Sequence, residues 1–187
     1  MRTRLLLACF LAAACSGEAA ANPALAVDRP ETQASAHLAI SSPGFGAGGP
    51  IPLAFSAYGQ GVSPPLSWSA LPAGTESLAL IVEDPDAASA RPFVHWLAWN
   101  VGAATRGLPQ GRVPAGIVQG KNGRGTAAWF GPHPSDGKLH HYHFQLFALD
   151  TTLTLPAGAD REQLLAAMKG HVLAKGDLLG LFRKPKT

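Results

Sequence analysis

Three carboxylates, Glu83, Asp84 and Asp86, follow an apolar run over Leu78–Val82, and His95 stands near the start of the next apolar run, Phe93–Val101. Acidic groups at the exit of one buried strand and an imidazole at the start of its neighbour can share one end of a sheet. Polar groups there meet apolar walls, the usual make-up of a small-molecule pocket. A third run, His140–Asp150, places His140, Tyr142, Phe144 and Leu146 on one strand face and His141, His143 and Gln145 on the other, because side chains alternate along a strand. If this strand lies beside the one bearing His95, then Asp84, His95, His140 and Tyr142 converge. Imidazolium N–H groups, a phenol O–H and backbone N–H groups near Gly131 can satisfy the acceptor oxygens of a phosphate-like anion. Asp84 would hold a histidine in its donating form and raise its pKa, or pair with an ammonium on the ligand. No lysine or arginine belongs to this constellation, so modest affinity is expected. Asp, His and Tyr in one pocket can also do acid–base work. A hydrolase is therefore an alternative, although no G-x-S-x-G stands in the sequence and no serine can be placed as a nucleophile.

The elements that must position these groups are short apolar runs separated by Gly, Pro and Ser. Strands are expected over His37–Ile40, Leu53–Phe55, Leu66–Trp68, Leu78–Val82, Phe93–Val101, Gly116–Gln119, His141–Ala148 and Asp177–Arg183. Many short strands with turn signals between them predict a mainly β fold, an antiparallel β-sandwich or barrel. The Leu78–Val82 and Phe93–Val101 runs lack a polar alternate face, which predicts burial on both sides. One helix is expected, capped by Asp160, with Gln163 at the capping-box position and Gly170 just past its end. The segment from Lys121 to Leu139 carries no strand pattern, and ordered loops of this length are often functional. It contains Trp129, Phe130, Gly131, Pro132 and His133; of the tryptophans, Trp129 is the candidate for a pocket wall. A literal G-x-G-x-x-G at Gly44–Gly49 runs into Pro50 and Pro52, which cannot open a helix, so it reads as a turn-rich loop. His141 and His143 read as solvated strand residues; a zinc site built from them and His133 lacks a carboxylate at matching local spacing. No cofactor and no metal are expected.

The first segment has a different character. Arg2 and Arg4 precede an apolar run over Leu5–Cys15, too short to span a bilayer but of signal-peptide length, and Ala19-Ala20-Ala21 supplies a small-residue cleavage site. Leu11–Ser16 also resembles a bacterial lipobox, in which Cys15 is lipidated and becomes the first mature residue. Two export routes thus stay open: a free periplasmic protein, or a lipoprotein tethered to the membrane through Cys15. Residues 1–21 are read as the signal, residues 22–36 as a flexible tether without a period, and residues 37–187 as a single domain. Both cysteines, Cys9 and Cys15, fall in the signal, so the domain must hold together without disulfides. The net charge of +3, with no block of Lys or Arg, gives no nucleic-acid footprint.

Several motifs in order carry a resemblance to the phosphatidylethanolamine-binding protein family, and in particular to its bacterial, Raf-kinase-inhibitor-like branch. They are Asp84-Pro85-Asp86, His95-Trp96 with Asn100, Gly131-Pro132, the run from His140 to Phe144 with Leu149-Asp150, and Gly170–Ala174. The resemblance spans about Leu38 to Arg183. It implies a β-sandwich on a large antiparallel sheet, and a small pocket for phosphate-like anions or phospholipid head groups. By the same resemblance, Asp84, Asp86, His95, Gly131, Pro132, His140 and Tyr142 bind the ligand. It also implies an inhibitor, of an extracytoplasmic protease or another enzyme, as a further alternative, and a homodimer as an oligomeric form. Ala88 stands where the family's D-P-D-A-P has its second proline, and His133 adds a titratable group at the rim.

Overall fold

The computed structural model describes residues 24–186; the expected signal over residues 1–21, with Cys9 and Cys15, lies outside the described residues. The described residues form ten strands, one α-helix and three short 3-10 turns. The strands are β1 (Ala36–His37), β2 (Ile40–Ser41), β3 (Gly49–Pro50), β4 (Leu66–Trp68), β5 (Ser77–Asp84), β6 (Phe93–Gly102), β7 (Gly107–Leu108), β8 (Val118–Gly120), β9 (Leu139–Leu149) and β10 (Val172–Arg183). The helix α1 spans Arg161–Met168.

The main sheet has seven strands in the order β1-β10-β9-β5-β6-β8, with β3 also paired to β10; a smaller sheet runs β2-β4-β7. The expectation of a mainly β fold holds, but the main sheet is mixed rather than purely antiparallel. Its long strands are antiparallel, whereas β1 and β3 both lie parallel to β10, in register at Ala36–Ala174 and Gly49–Gly180. Pairs of two residues leave no alternation to detect in a sequence.

β5 sits in the middle of the main sheet and is buried throughout. Leu78, Leu80 and Val82 join Ala98, Phe144 and Leu146 in a core shared with Ile40, Leu66, Trp68 and Leu108 of the smaller sheet. Ala79 and Ile81 point the other way, onto Leu97, Trp99, Phe147 and Leu149 and the α1 residues Leu164, Leu165 and Met168. Burying each large aliphatic side chain contributes about 1.5–3 kcal/mol, so a strand buried on both faces is strongly held. α1 starts as its sequence predicts: the Asp160 carboxylate accepts from Gln163 N–H, and the Gln163 side chain returns to Asp160 N–H.

Two expectations need correcting. Leu53–Phe55 is a 3-10 turn, not a strand. Residues 24–36 are not a tether: they dock on the α1 side of the main sheet. Glu83 Oε2 accepts from Ala26 N–H at 2.8 Å, Gln145 Oε1 accepts from Val27 N–H at 2.6 Å, and Arg161 Nη2 donates to Ala24 O at 2.8 Å. Lys175 Nζ donates to Val27 O at 2.7 Å, while Ala26 and Thr32 are fully buried. This strap is held by side chains that grip its backbone, so its own sequence needs no apolar period.

Candidate functional site

β5 runs out at the edge where its two antiparallel neighbours, β6 and β9, begin. That topology alone brings Asp84, His95 and His140 to one end of the sheet. The register between β5 and β6 shifts after Val82. A bulge there re-aims side chains, and His95 and Trp96, although consecutive, both reach Trp129 on the same side of the sheet. A cavity of about 130 Å³ opens at this edge, between the β5–β6 loop and the long loop before β9. Its wall includes Asp84, Phe93, His95, Arg124, Phe130, His133, Asp136 and His140.

His140 is held from both ends. Its Nδ1 pairs with Asp84 Oδ2 at 2.7 Å, and its Nε2 with Asp136 Oδ1 at 3.1 Å. The other Asp84 oxygen accepts from Asp86 N–H at 2.8 Å. Burial pushes the Asp84 carboxyl above its ordinary value despite the attraction of His140. For His140 burial opposes the charged form, but the two carboxylates outweigh it and raise the pKa above the ordinary imidazole value. His95 behaves oppositely. Burial lowers its pKa to about 4, so it is neutral near pH 7. Its Nδ1 donates to Phe130 O at 2.7 Å, and Phe130 N–H donates back to His95 O at 2.9 Å, which ties the long loop to β6. With Nδ1 as the donor, Nε2 of the neutral ring is an acceptor. His95 therefore supplies no cationic donor. It packs at 4.9 Å from the Phe93 ring, stacks on Phe130 at 5.7 Å and meets Tyr142 edge-on at 5.0 Å.

The remaining expected residues lie behind or beside the cavity rather than on its wall. The Tyr142 ring is fully buried and belongs to the core shared by the two sheets. Its hydroxyl is buried and makes no hydrogen bond among the described residues. Burial and the nearby Asp84 charge raise its pKa, so it stays protonated. Asp86 turns outward and accepts from both His141 N–H, at 2.8 Å, and His141 Nδ1, at 2.7 Å. It fastens the β5–β6 loop to β9. His143, on the same outer face, pairs with Asp177 at 2.7 Å, so neither histidine is merely solvated. Gly131 and Pro132 are buried against the turn at 55–57: a Cβ on Gly131 would come within 2.4 Å of Phe55 O, and Pro132 O accepts from Ala57 N–H. They set the path that delivers Phe130 and His133 to the cavity. Trp129 packs inward, edge-on to Trp96 at 5.8 Å, rather than forming the wall.

Two charged residues of the wall were not anticipated. Arg124 contradicts the reading that no arginine takes part; its guanidinium carbon lies 4.9 Å from the centre of the Phe130 ring. The Asn122 side chain builds the turn that presents it, accepting from Arg124 N–H at 2.9 Å and Thr126 N–H at 3.2 Å, and donating to Ala128 O at 2.8 Å. The sequence signal was the Asn-Gly-Arg-Gly turn itself; nothing in it gives the turn's direction. The other residue is Asp136, four positions before His140 on the loop leading into β9. His133 reaches the rim as expected, stacked on Tyr58 at 4.6 Å. The site thus joins a buried Asp84–His140 pair, a guanidinium and an aromatic wall, and can bind a small charged group with a partly apolar surround.

Comparison with known proteins bears on this geometry. The family model for phosphatidylethanolamine-binding proteins matches residues 41–183. A UPF0098 protein of Pyrococcus horikoshii is 47% identical over 116 residues, 58% of this chain and 58% of that protein. One from Methanothermobacter thermautotrophicus is 45% identical over 119 residues, 61% of this chain and 78% of that protein. The chain thus spans little more than half the length of the first of these relatives. Among solved structures, a phosphatidylethanolamine-binding protein homolog from Chlamydia trachomatis superposes with a TM-score of 0.75 at 38% identity, covering 81% of this chain and all (100%) of that one. Escherichia coli YbcL, described as a member of the mammalian family, gives 0.71 at 28% identity, covering 80% and 100%.

Proposed function

The chain belongs to the phosphatidylethanolamine-binding protein family, and from that premise we propose that it is a binding protein whose edge cavity holds a small phosphate-like anion or a phospholipid head group. The observation that carries the reading is the buried Asp84–His140 pair, opening on the same cavity as the Arg124 guanidinium. Such charged donors make the stronger hydrogen bonds to phosphate oxygens. Phe93 and Phe130 give the cavity an apolar side suited to the carbon of an ester. The reading also includes export, as a periplasmic protein or through a lipidated Cys15.

Supporting the reading requires a map of where an anion binds. Glycerophosphoethanolamine titrated into isotopically labelled protein at pH 5.5 is expected to shift the amides of Arg124, Phe130, His133 and His140. Perturbation centred on residues far from this edge, with these amides still, would remove the proposal.

A further inference from the structure

Asp136 is an unexpected neighbour for an anion site. Its Oδ1 sits 3.1 Å from His140 Nε2, the ring nitrogen turned away from Asp84. That N–H is the one His140 could give to a ligand. Asp84 alone already orients the ring, through a 2.7 Å bond between two buried groups. The Asp136 contact therefore adds little to positioning and instead consumes the free donor. Nor is it a casual surface encounter: Oδ1 also accepts from Lys138 N–H at 2.9 Å, in a turn completed by Gly137 at φ 73°, which fixes the carboxylate toward the cavity. Lys138 Nζ stands 3.7 Å from the second oxygen. The carboxylate is still free to leave, because its side chain is 40% exposed and that of Lys138 is 81% exposed, and pairs of this kind are held weakly.

We propose that Asp136 is a built-in competitor that occupies the His140 donor and sets the site's affinity threshold: a ligand binds by exchanging its oxygen for the Asp136 carboxylate on Nε2. This inference rests on the anion-site reading and names an affinity-setting residue within it. The chemistry follows from the exchange. A carboxylate ligand replaces one carboxylate by another and gains little. A phosphate ester brings more acceptor oxygens and, as a monoester, more charge, and can engage Arg124 at the same time. The cost of displacing Asp136 is the same for every ligand, so a lone carboxylate falls below useful affinity while a phosphate ester that also engages Arg124 stays above it.

The test uses methyl phosphate and acetate as probes, with wild type, Asp136→Asn and Asp136→Ala. Asp136→Ala is expected to bind both probes severalfold more tightly and by a similar factor, since each displaces the same group, whereas Asp136→Asn, whose amide oxygen can still accept from Nε2–H, is expected to gain less. Deleting a negative charge also helps anions at long range, so the titrations are repeated at high salt. Long-range electrostatics are then screened, and the gain in Asp136→Ala is expected to persist because a donor has been freed. A readout independent of affinity is the His140 ring by NMR, which is expected to titrate at lower pH in both free variants and to move up again with saturating methyl phosphate. Wild-type binding that is unchanged or weakened in both variants, or a gain that vanishes at high salt, overturns the inference and leaves the anion site standing. No binding of methyl phosphate by any form removes the anion-site reading, and the inference with it.

Discussion

Glu83 is one residue from Asp84 but points to the opposite face of β5, where it is fully buried. Three donors converge on its carboxylate: Arg161 Nε, Ala26 N–H at 2.8 Å and Gln145 Nε2 at 2.7 Å. Replacing it by Gln keeps the volume and removes the charge, which strands the Arg161 guanidinium in a site where only 6% of its side chain is exposed. Breaking a buried ion pair from one side costs about 3–5 kcal/mol. Arg161 retains Glu162 on Nη1 at 2.7 Å, itself 41% exposed, so the lower end applies. A loss of about 3 kcal/mol is a large part of a stability of roughly 5–15 kcal/mol. Urea unfolding of Glu83→Gln is therefore expected to show a much lower midpoint with a similar slope. Hydrogen exchange at Ala26 and Val27 is expected to accelerate well beyond that of core β5 amides, as the strap loosens first. The double variant Glu83→Leu with Arg161→Met is expected to recover part of the loss, since no charge is left stranded, although Ala26 N–H still lacks its acceptor. A Glu83→Gln protein within about 1 kcal/mol of wild type would refute the argument that this pair fastens the strap.

Three further outcomes follow. Gly131→Ala places a Cβ within 2.4 Å of Phe55 O; it is expected to cost about 1–3 kcal/mol and to disturb the Phe130 and His133 resonances, as read by thermal unfolding and NMR. Asp160→Ala removes the acceptor for Gln163 N–H and is expected to lower stability by about 1 kcal/mol without altering anion binding, as urea unfolding and calorimetry will report. Mass spectrometry of the protein from its native host is expected to find a terminus at Cys15 or near Asn22; an intact Met1 would end the export reading.

How far the sequence could be read depended on the kind of force involved. β5 and β6 were visible because burial on both faces erases polar alternation, and α1 because Asp160 and Gln163 spell out a capping box. Alternation in β9 correctly put Tyr142, Phe144 and Leu146 on one face, and they share a core. It could not say that Tyr142 would lie behind the cavity wall. The bulge at His95 is a register event between two strands and has no mark in either. Arg124 and Asp136 are aimed by turns, through the Asn122 side chain and the Lys138 N–H, and turn residues reveal a bend more readily than its direction. The strap was missed because Glu83, Gln145, Arg161 and Lys175 hold its backbone, contacts that leave no periodic mark in its own sequence.

The central claim is that His140 is the titrating cationic donor of an anion site. A phosphodiester such as glycerophosphoethanolamine keeps one negative charge on its phosphate across the range of interest, so the protein supplies the pH dependence. His140 has its pKa raised, and its charged form is lost as pH climbs through that value; His95, at about 4, stays neutral throughout. Binding is therefore expected to be tighter at pH 5.5 than at pH 8.5, with Arg124 sustaining a weaker residual affinity at the higher pH. Calorimetric titration of wild type, His140→Ala and His143→Ala at both pH values measures this directly. The account predicts that His140→Ala binds weakly and alike at the two pH values, while His143→Ala, on the outer face of β9, follows wild type. Equal losses in the two variants, or a wild-type affinity that does not change between the two pH values, would contradict it.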